Sequence, residues 1–168
     1  MYGYAYVFIN YKQALKFGHL GWGFLLEDGL RCCYGSADHL WRAQWWDPMA
    51  VVRYAYVPPD GHIDWWLAEG SESSMLVDMR AGHHIRYHAY KVLAIENANP
   101  QAARLAARTA ESGGWALFGN NCVNQAFRIL TEYGAGPCLP PPHRPFTNSI
   151  PRRWFETLEG PIHWLRDS

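Results

Sequence analysis

The sequence lacks most of the features that announce a function. Basic and acidic residues number fifteen each, so no field of positive charge remains to hold phosphates, and the short Arg152-Arg153 pair does not create one. A nucleic-acid partner is therefore not expected. There is no G-x-S-x-G turn and no G-x-x-x-x-G-K phosphate loop. The four cysteines, Cys32, Cys33, Cys122 and Cys138, include no C-x-x-C pair, which argues against a structural zinc site, and they do not read as a disulfide framework in a chain of 168 residues. No cofactor and no metal are expected. No apolar run is long enough to cross a bilayer, so no membrane span is expected. The start, Met1-Tyr2-Gly3-Tyr4, has neither the positive charge nor the small-residue cleavage site of a signal peptide. The expectation is a cytoplasmic protein, with export by a route that needs no cleaved signal left open. Oligomeric state is not legible.

What is present is apolar and strongly aromatic. Hydrophobic residues make up 49%, with nine Trp and ten Tyr, enough for one domain with a substantial core. Aromatic rings with polar tips serve the core, or line a groove.

Residues 3–9 read as a strand. Residues 19–26 and 30–35 read as a hairpin closed by Glu27-Asp28-Gly29, since Asp-Gly supplies the positive φ that a tight turn needs. Residues 38–46 suggest a short helix capped by Ser36 or Asp38, and residues 51–57 a strand stopped by Pro58-Pro59. Short helices are expected over 62–69 and 72–80, and a strand over 86–96. Asn99-Pro100 opens a helix over 100–111, halted by Gly113-Gly114. A second helix spans 122–133, with Val123, Ala126, Phe127 and Leu130 at helical spacing and Gly134 at its end. A last short helix is expected over 151–159. The fold class read from this mixture is α+β, with a small antiparallel sheet packed against a helix that carries a cysteine. One domain, 1–168, is expected, with 38–85 as a Trp-rich insertion and 136–168 as a Pro-rich tail ending in a short helix.

Cys122 is the candidate nucleophile. It opens a helix after Asn120-Asn121, either of which can cap that helix. Unpaired N–H groups and the helix dipole favour a thiolate at such a place, and they can also stabilise the oxyanion formed when it attacks a carbonyl. The competing reading is a small buried hydrophobe. Eight histidines compete as its base. His19 opens a strand in which Leu20, Trp22, Phe24 and Leu26 share one face, and His19, Gly21, Gly23 and Leu25 the other. Glycines there allow close approach of another element. If the Cys122 helix packs over Gly21 and Gly23, His19 can reach the sulfur. His83, His84 and His88 also cluster, but the His84–His88 spacing suits a helix, whereas 86–96 reads as a strand and no H-E-x-x-H is present.

His19-Leu20-Gly21-Trp22-Gly23-Phe24, followed by a Gly turn and a returning strand, and much later Asn121-Cys122 opening a helix with Phe127, resembles the circularly permuted papain-like superfamily. That group includes permuted NlpC-type hydrolases and lecithin:retinol acyltransferase relatives. The likeness rests on 19–36 and 115–133 and on the order of the two motifs, His before Cys. It implies a Cys122–His19 pair and a thioester intermediate. A third polar residue on the adjacent strand normally orients the histidine. Counting across the turn puts Tyr34 there, with Ser36 as a rival, where the family more often has His, Asn, Gln or Glu. Trp22, Trp41, Trp45, Trp46 and Asn121 are the candidate substrate-binding residues. The function this implies is a cysteine hydrolase cleaving an amide in a peptide or cell-wall-type substrate. The alternatives are an acyltransferase or lipid esterase of the same superfamily, or an inactive binding module with an aromatic cleft.

Overall fold

The computed structural model of the chain describes residues 1–13, 16–39, 56–59, 63–82, 85–117, 119–142 and 149–165. It is α+β. Strands β1 (Gly3–Asn10), β2 (His19–Leu25), β3 (Arg31–His39), β5 (Ile63–Ser71), β6 (Ala89–Ile95) and β8 (His163–Trp164) form one sheet in the order β5-β3-β2-β1-β6-β8. Every neighbouring pair is antiparallel. Two short strands, β4 (Tyr56–Val57) and β7 (Trp115–Ala116), pair separately. Four α-helices accompany them among the described residues: α1 (Glu72–Ala81), α2 (Pro100–Thr109), α3 (Cys122–Leu130) and α4 (Pro151–Thr157). None is long and apolar enough to cross a membrane.

The period of two in the strands sends side chains to two cores. On one face, Val7, Ile9, Leu20, Trp22 and Phe24 pack against Ala103 of α2, Val123, Ala126 and Ile129 of α3, and Trp154 and Phe155 of α4. On the other face, Tyr6, Phe8, Cys32 and Tyr34 pack against Met75 and Met79 of α1 and against Tyr87. The sheet is thus covered on both sides.

Local signals explain most of the element ends. The β2–β3 hairpin closes where the Leu26 amide donates to the Arg31 carbonyl at 2.7 Å. Asp28 Oδ1 accepts from the amides of Leu30 and Arg31, and Gly29 adopts φ +68°. These bonds and the Arg31 guanidinium hold the Asp28 carboxyl down at about 2. Ser71 caps α1 by accepting from the Ser74 amide, and Asn99 caps α2 by accepting from the Ala102 amide ahead of Pro100.

Two expectations change. Residues 62–69 do not form a helix: from Ile63 the chain is β5, paired residue for residue with β3 from Arg31↔Ser71 to His39↔Ile63. Asp38 and His39, expected to start a helix, belong to β3, and the remainder of 38–46 lies almost wholly outside the described residues, as does most of 51–57. Within 38–85, β5 is a full member of the sheet and α1 supplies Met75 and Met79 to a core. Within 136–168 the short helix α4 carries the fully buried Trp154 and Phe155, and β8 pairs with β6.

Candidate active site

Cys122 is the first residue of α3, and Asn121 builds that start. Asn121 Oδ1 accepts from the amides of Val123 (2.9 Å) and Asn124 (3.3 Å), while Asn124 Oδ1 accepts from the Asn121 amide (3.2 Å), a reciprocal capping box. Asn121 Nδ2 donates to the carbonyls of Leu117 and Ser149. Its amide is therefore occupied on both ends. Asn121, a candidate substrate-binding residue, uses these bonds to fix the helix start. The cap bonds reach Val123 and Asn124 but not the amide of Cys122 itself.

His19 is the first residue of β2. Its Nε2 lies 3.0 Å from Ser36 Oγ and 3.3 Å from Asp38 Oδ1, both on β3. Cys122 also acts on this ring, its sulfur favouring the charged imidazole. Burial opposes a charge on His19 more strongly than any single neighbour favours it. Cys122 and Asp38 together outweigh burial and raise the imidazole well above its usual range, to about 10. Asp38 moves the other way. Burial pushes its carboxyl up, but hydrogen bonds from His19 and Trp66 and the histidine's charge bring it below the ordinary carboxylate value.

The carboxylate is well provided for. Asp38 Oδ2 accepts from Trp66 Nε1 at 2.8 Å, and Oδ1 accepts from the Tyr87 hydroxyl at 3.2 Å. Tyr87 also donates to Ser36 Oγ at 2.6 Å. Ser36 in turn donates to the Leu20 carbonyl at 3.3 Å. The β2–β3 ladder pairs only Trp22↔Gly35 through Leu25↔Cys32, so this side-chain network spans the strands beyond the ladder's end. Its centre is buried: Cys122 is 5% exposed, His19 6% and Asp38 1%.

The structure corrects two parts of the geometry expected from the sequence. Tyr34 does not hold His19. It pairs opposite Gly23, and its hydroxyl donates to Asp78 at 2.5 Å. Four residues of strand, about 13 Å, separate its partner position from His19. The place expected for Tyr34 is filled by Asp38, with the rival Ser36 beside it. Gly21 and Gly23 do admit close neighbours, but not the Cys122 helix. A Cβ on Gly21 would lie 2.9 Å from the Tyr87 ring, and one on Gly23 2.7 Å from Met75 Sδ. Helix α3 packs on the opposite face, against the side of Leu20 and Trp22.

Trp22 does line a cleft of about 140 Å³, together with Ser36, Trp65, Trp66, Ala107 and Gln125. Ser36 is bonded to His19, and Gln125 lies one turn beyond Cys122 on α3, so two of the lining residues neighbour His19 and Cys122. Trp41, Trp45 and Trp46 lie outside the described residues. His83 and His84 do too, while His88 Nδ1 accepts from the Tyr11 amide. Asp38, Tyr87, Trp65 and Trp66 escaped the reading of the sequence. Asp38 had a usable signal: the pairing of Leu26 with Arg31, extended along both strands, sets position 38 opposite position 19. Tyr87 had none, because it enters from the segment between α1 and β6. No family model, curated protein or solved structure matches this chain.

Proposed function

We propose that the protein is a cysteine-dependent hydrolase of amide bonds, built on a permuted papain-like plan, with Cys122 as nucleophile, His19 as base and Asp38 as the residue that orients His19. The observation that carries this reading is the position of His19. Cys122 favours the charged form of its ring, and its Nε2 lies 3.3 Å from a buried carboxylate. An ionised Asp38 only accepts hydrogen bonds, so the proton sits on Nε2 and Nδ1 is the nitrogen available to the thiol. That is the arrangement of nucleophile, base and orienting group that activates a thiol.

In the proposed cycle His19, raised to about 10, already holds the proton given up by Cys122, and the sulfur attacks the substrate carbonyl. The amide N–H of Cys122, outside the cap bonds at the helix start, contributes to stabilising the oxyanion. His19 then gives its proton to the departing amine, leaving a thioester. Water, deprotonated by His19, cleaves the thioester to the acid and frees the thiol. Asp38 holds the imidazole in one tautomer and stabilises its charged form, while Tyr87, Ser36 and Trp66 hold Asp38. The order of the motifs, a strand-opening His19 ahead of a helix-opening Cys122, supports the permuted plan.

Alkylation tests the reading directly. At mildly acidic pH an ordinary thiol is protonated and slow towards iodoacetamide. Cys138 is exposed and serves as the internal reference, while burial raises the Cys32 and Cys33 thiols to about 12. Peptide mapping should find Cys122 modified ahead of Cys138 despite its burial, and His19→Ala should remove that advantage. Modification of Cys138 first, with Cys122 no faster than Cys32 and Cys33, would sink the proposal.

A further inference from the structure

The cleft beside His19 has a composition that selects a ligand. Its volume, about 140 Å³, falls well below the 300–1,000 Å³ typical of sites for whole small molecules. At about 30 Å³ per water it holds the equivalent of four or five waters. One side chain fits such a space; a long acyl chain does not. Trp22 and Trp65 line it from the same face of the sheet, which favours a flat partner that can stack or meet them edge-on. Arg108 and Glu111 contribute one charge of each sign, so the cleft favours neither an anion nor a cation.

One polar atom of the lining residues has no partner among the described residues. The Trp66 indole donates to Asp38, but the Trp65 Nε1–H is buried and makes no hydrogen bond to any of them. A buried donor left without an acceptor is costly, and a ligand that supplies one recovers that cost. Shape, neutrality and this donor converge on one chemistry. We infer that the cleft is the subsite for a neutral aromatic side chain that carries a hydrogen-bond acceptor, as the phenol oxygen of a tyrosine does, next to the amide that Cys122 attacks. The assignment of this side chain to a substrate rests on the hydrolase reading above; its binding does not.

The experiment separates the two. The Cys122→Ala protein is titrated with N-acetyl-tyrosinamide, N-acetyl-phenylalaninamide, N-acetyl-leucinamide and N-acetyl-lysinamide, and the indole N–H resonances are followed by NMR. The tyrosine amide should bind tightest and move the Trp65 indole proton, with the phenylalanine amide about fivefold weaker, as expected for one hydrogen bond. The lysine amide should be weakest. Trp65→Phe should equalise the tyrosine and phenylalanine amides, and Ala107→Leu, which fills the cleft from α2, should weaken both by about tenfold or more. Equal binding of all four amides, or tyrosine amide binding that leaves the Trp65 resonance in place, would overturn the inference. If Cys122 fails the alkylation test while the tyrosine preference holds, the cleft stands as a binding site and the hydrolase reading falls. If hydrolysis is found with no side-chain preference, the reverse holds.

Discussion

His19 Nε2 and Asp38 Oδ1 face each other at 3.3 Å between β2 and β3, with the Asp38 side chain wholly shielded from solvent. A carboxylate taken out of water is expensive unless its lone pairs are used and an opposite charge is near. Here Trp66 Nε1 and the Tyr87 hydroxyl supply donors, and His19 supplies the charge. The pair therefore acts as a unit: whatever happens to one partner is felt by the other.

Asp38→Asn tests that unit. The substitution keeps the size and removes the charge that helps to raise His19. The His19 titration, followed by NMR of its ring protons, should move down from about 10 toward the ordinary histidine range. The variant should also lose about 3 to 5 kcal/mol of unfolding free energy in urea, the usual cost of breaking a buried pair from one side. The rate of Cys122 alkylation should fall with it. An unmoved titration would show that Asp38 does not govern the imidazole.

The same pair predicts how stability responds to pH. His19 has a folded value raised above its unfolded one, near 6.5. The folded state then holds a proton that the unfolded state has lost across the interval between the two. Its contribution is complete below the unfolded value and is lost as pH rises through the folded value. Asp38 is depressed, so its contribution is present above the unfolded carboxylate value and is lost as pH falls through the folded one. Urea unfolding across the pH range should show wild-type stability falling from neutral pH toward pH 10 more steeply than that of His19→Gln. The difference in slope should not exceed about 1.4 kcal/mol per pH unit, the limit for one proton. Parallel curves would place no excess proton on His19.

Gly21 links the sheet to the site through Tyr87. A Cβ at Gly21 would lie 2.9 Å from Tyr87 Cζ and 3.1 Å from its hydroxyl. That hydroxyl is held by Ser36 at 2.6 Å and by Asp38, so Tyr87 cannot retreat without giving up both. Gly21→Ala should cost about 1 to 3 kcal/mol, the range for overpacking a core, and should also shift the His19 titration. Gly29→Ala is the contrast. Nothing lies within 4 Å of its Cβ position, but its φ of +68° strains an L-residue, so it should cost about 1 to 2 kcal/mol and leave His19 unchanged.

The features legible in the sequence are those set by neighbours along the chain. The Asp28-Gly29 turn, the Asn99-Pro100 start of α2 and the cap ahead of Cys122 all rest on bonds between residues a few positions apart. The errors have a common origin in pairing across the sheet. Residues 63–71 contain Leu67, Ala68 and Glu69, good helix formers, yet their conformation is set by the β3 ladder, with Trp65 and Trp66 sent to opposite faces. Reading β3 as ending at Gly35 hid Asp38. In fact Gly35 is required in mid-strand, since a Cβ there would lie 2.2 Å from the Trp66 carbonyl oxygen. The glycines of β2 were rightly read as places of close approach. What approaches them, Tyr87 and α1, could not be read from a strand pattern.

Asn121 provides the last test, because it separates the start of α3 from the chemistry at Cys122. Asn121→Ala removes the acceptor for the Val123 and Asn124 amides and the donor to the Leu117 and Ser149 carbonyls. The lost cap alone should cost about 1 to 2 kcal/mol. Asn121→Asp keeps the acceptor and places negative charge at the positive end of the helix dipole, but turns an oxygen toward the two carbonyls. If Asn121 acts by fixing the helix start, unfolding free energy and Cys122 alkylation should fall together in Asn121→Ala, and Asn121→Asp should recover more of the alkylation rate than of the stability. Full stability in Asn121→Ala with alkylation abolished would mean that the side chain acts at the thiol itself and not through the cap.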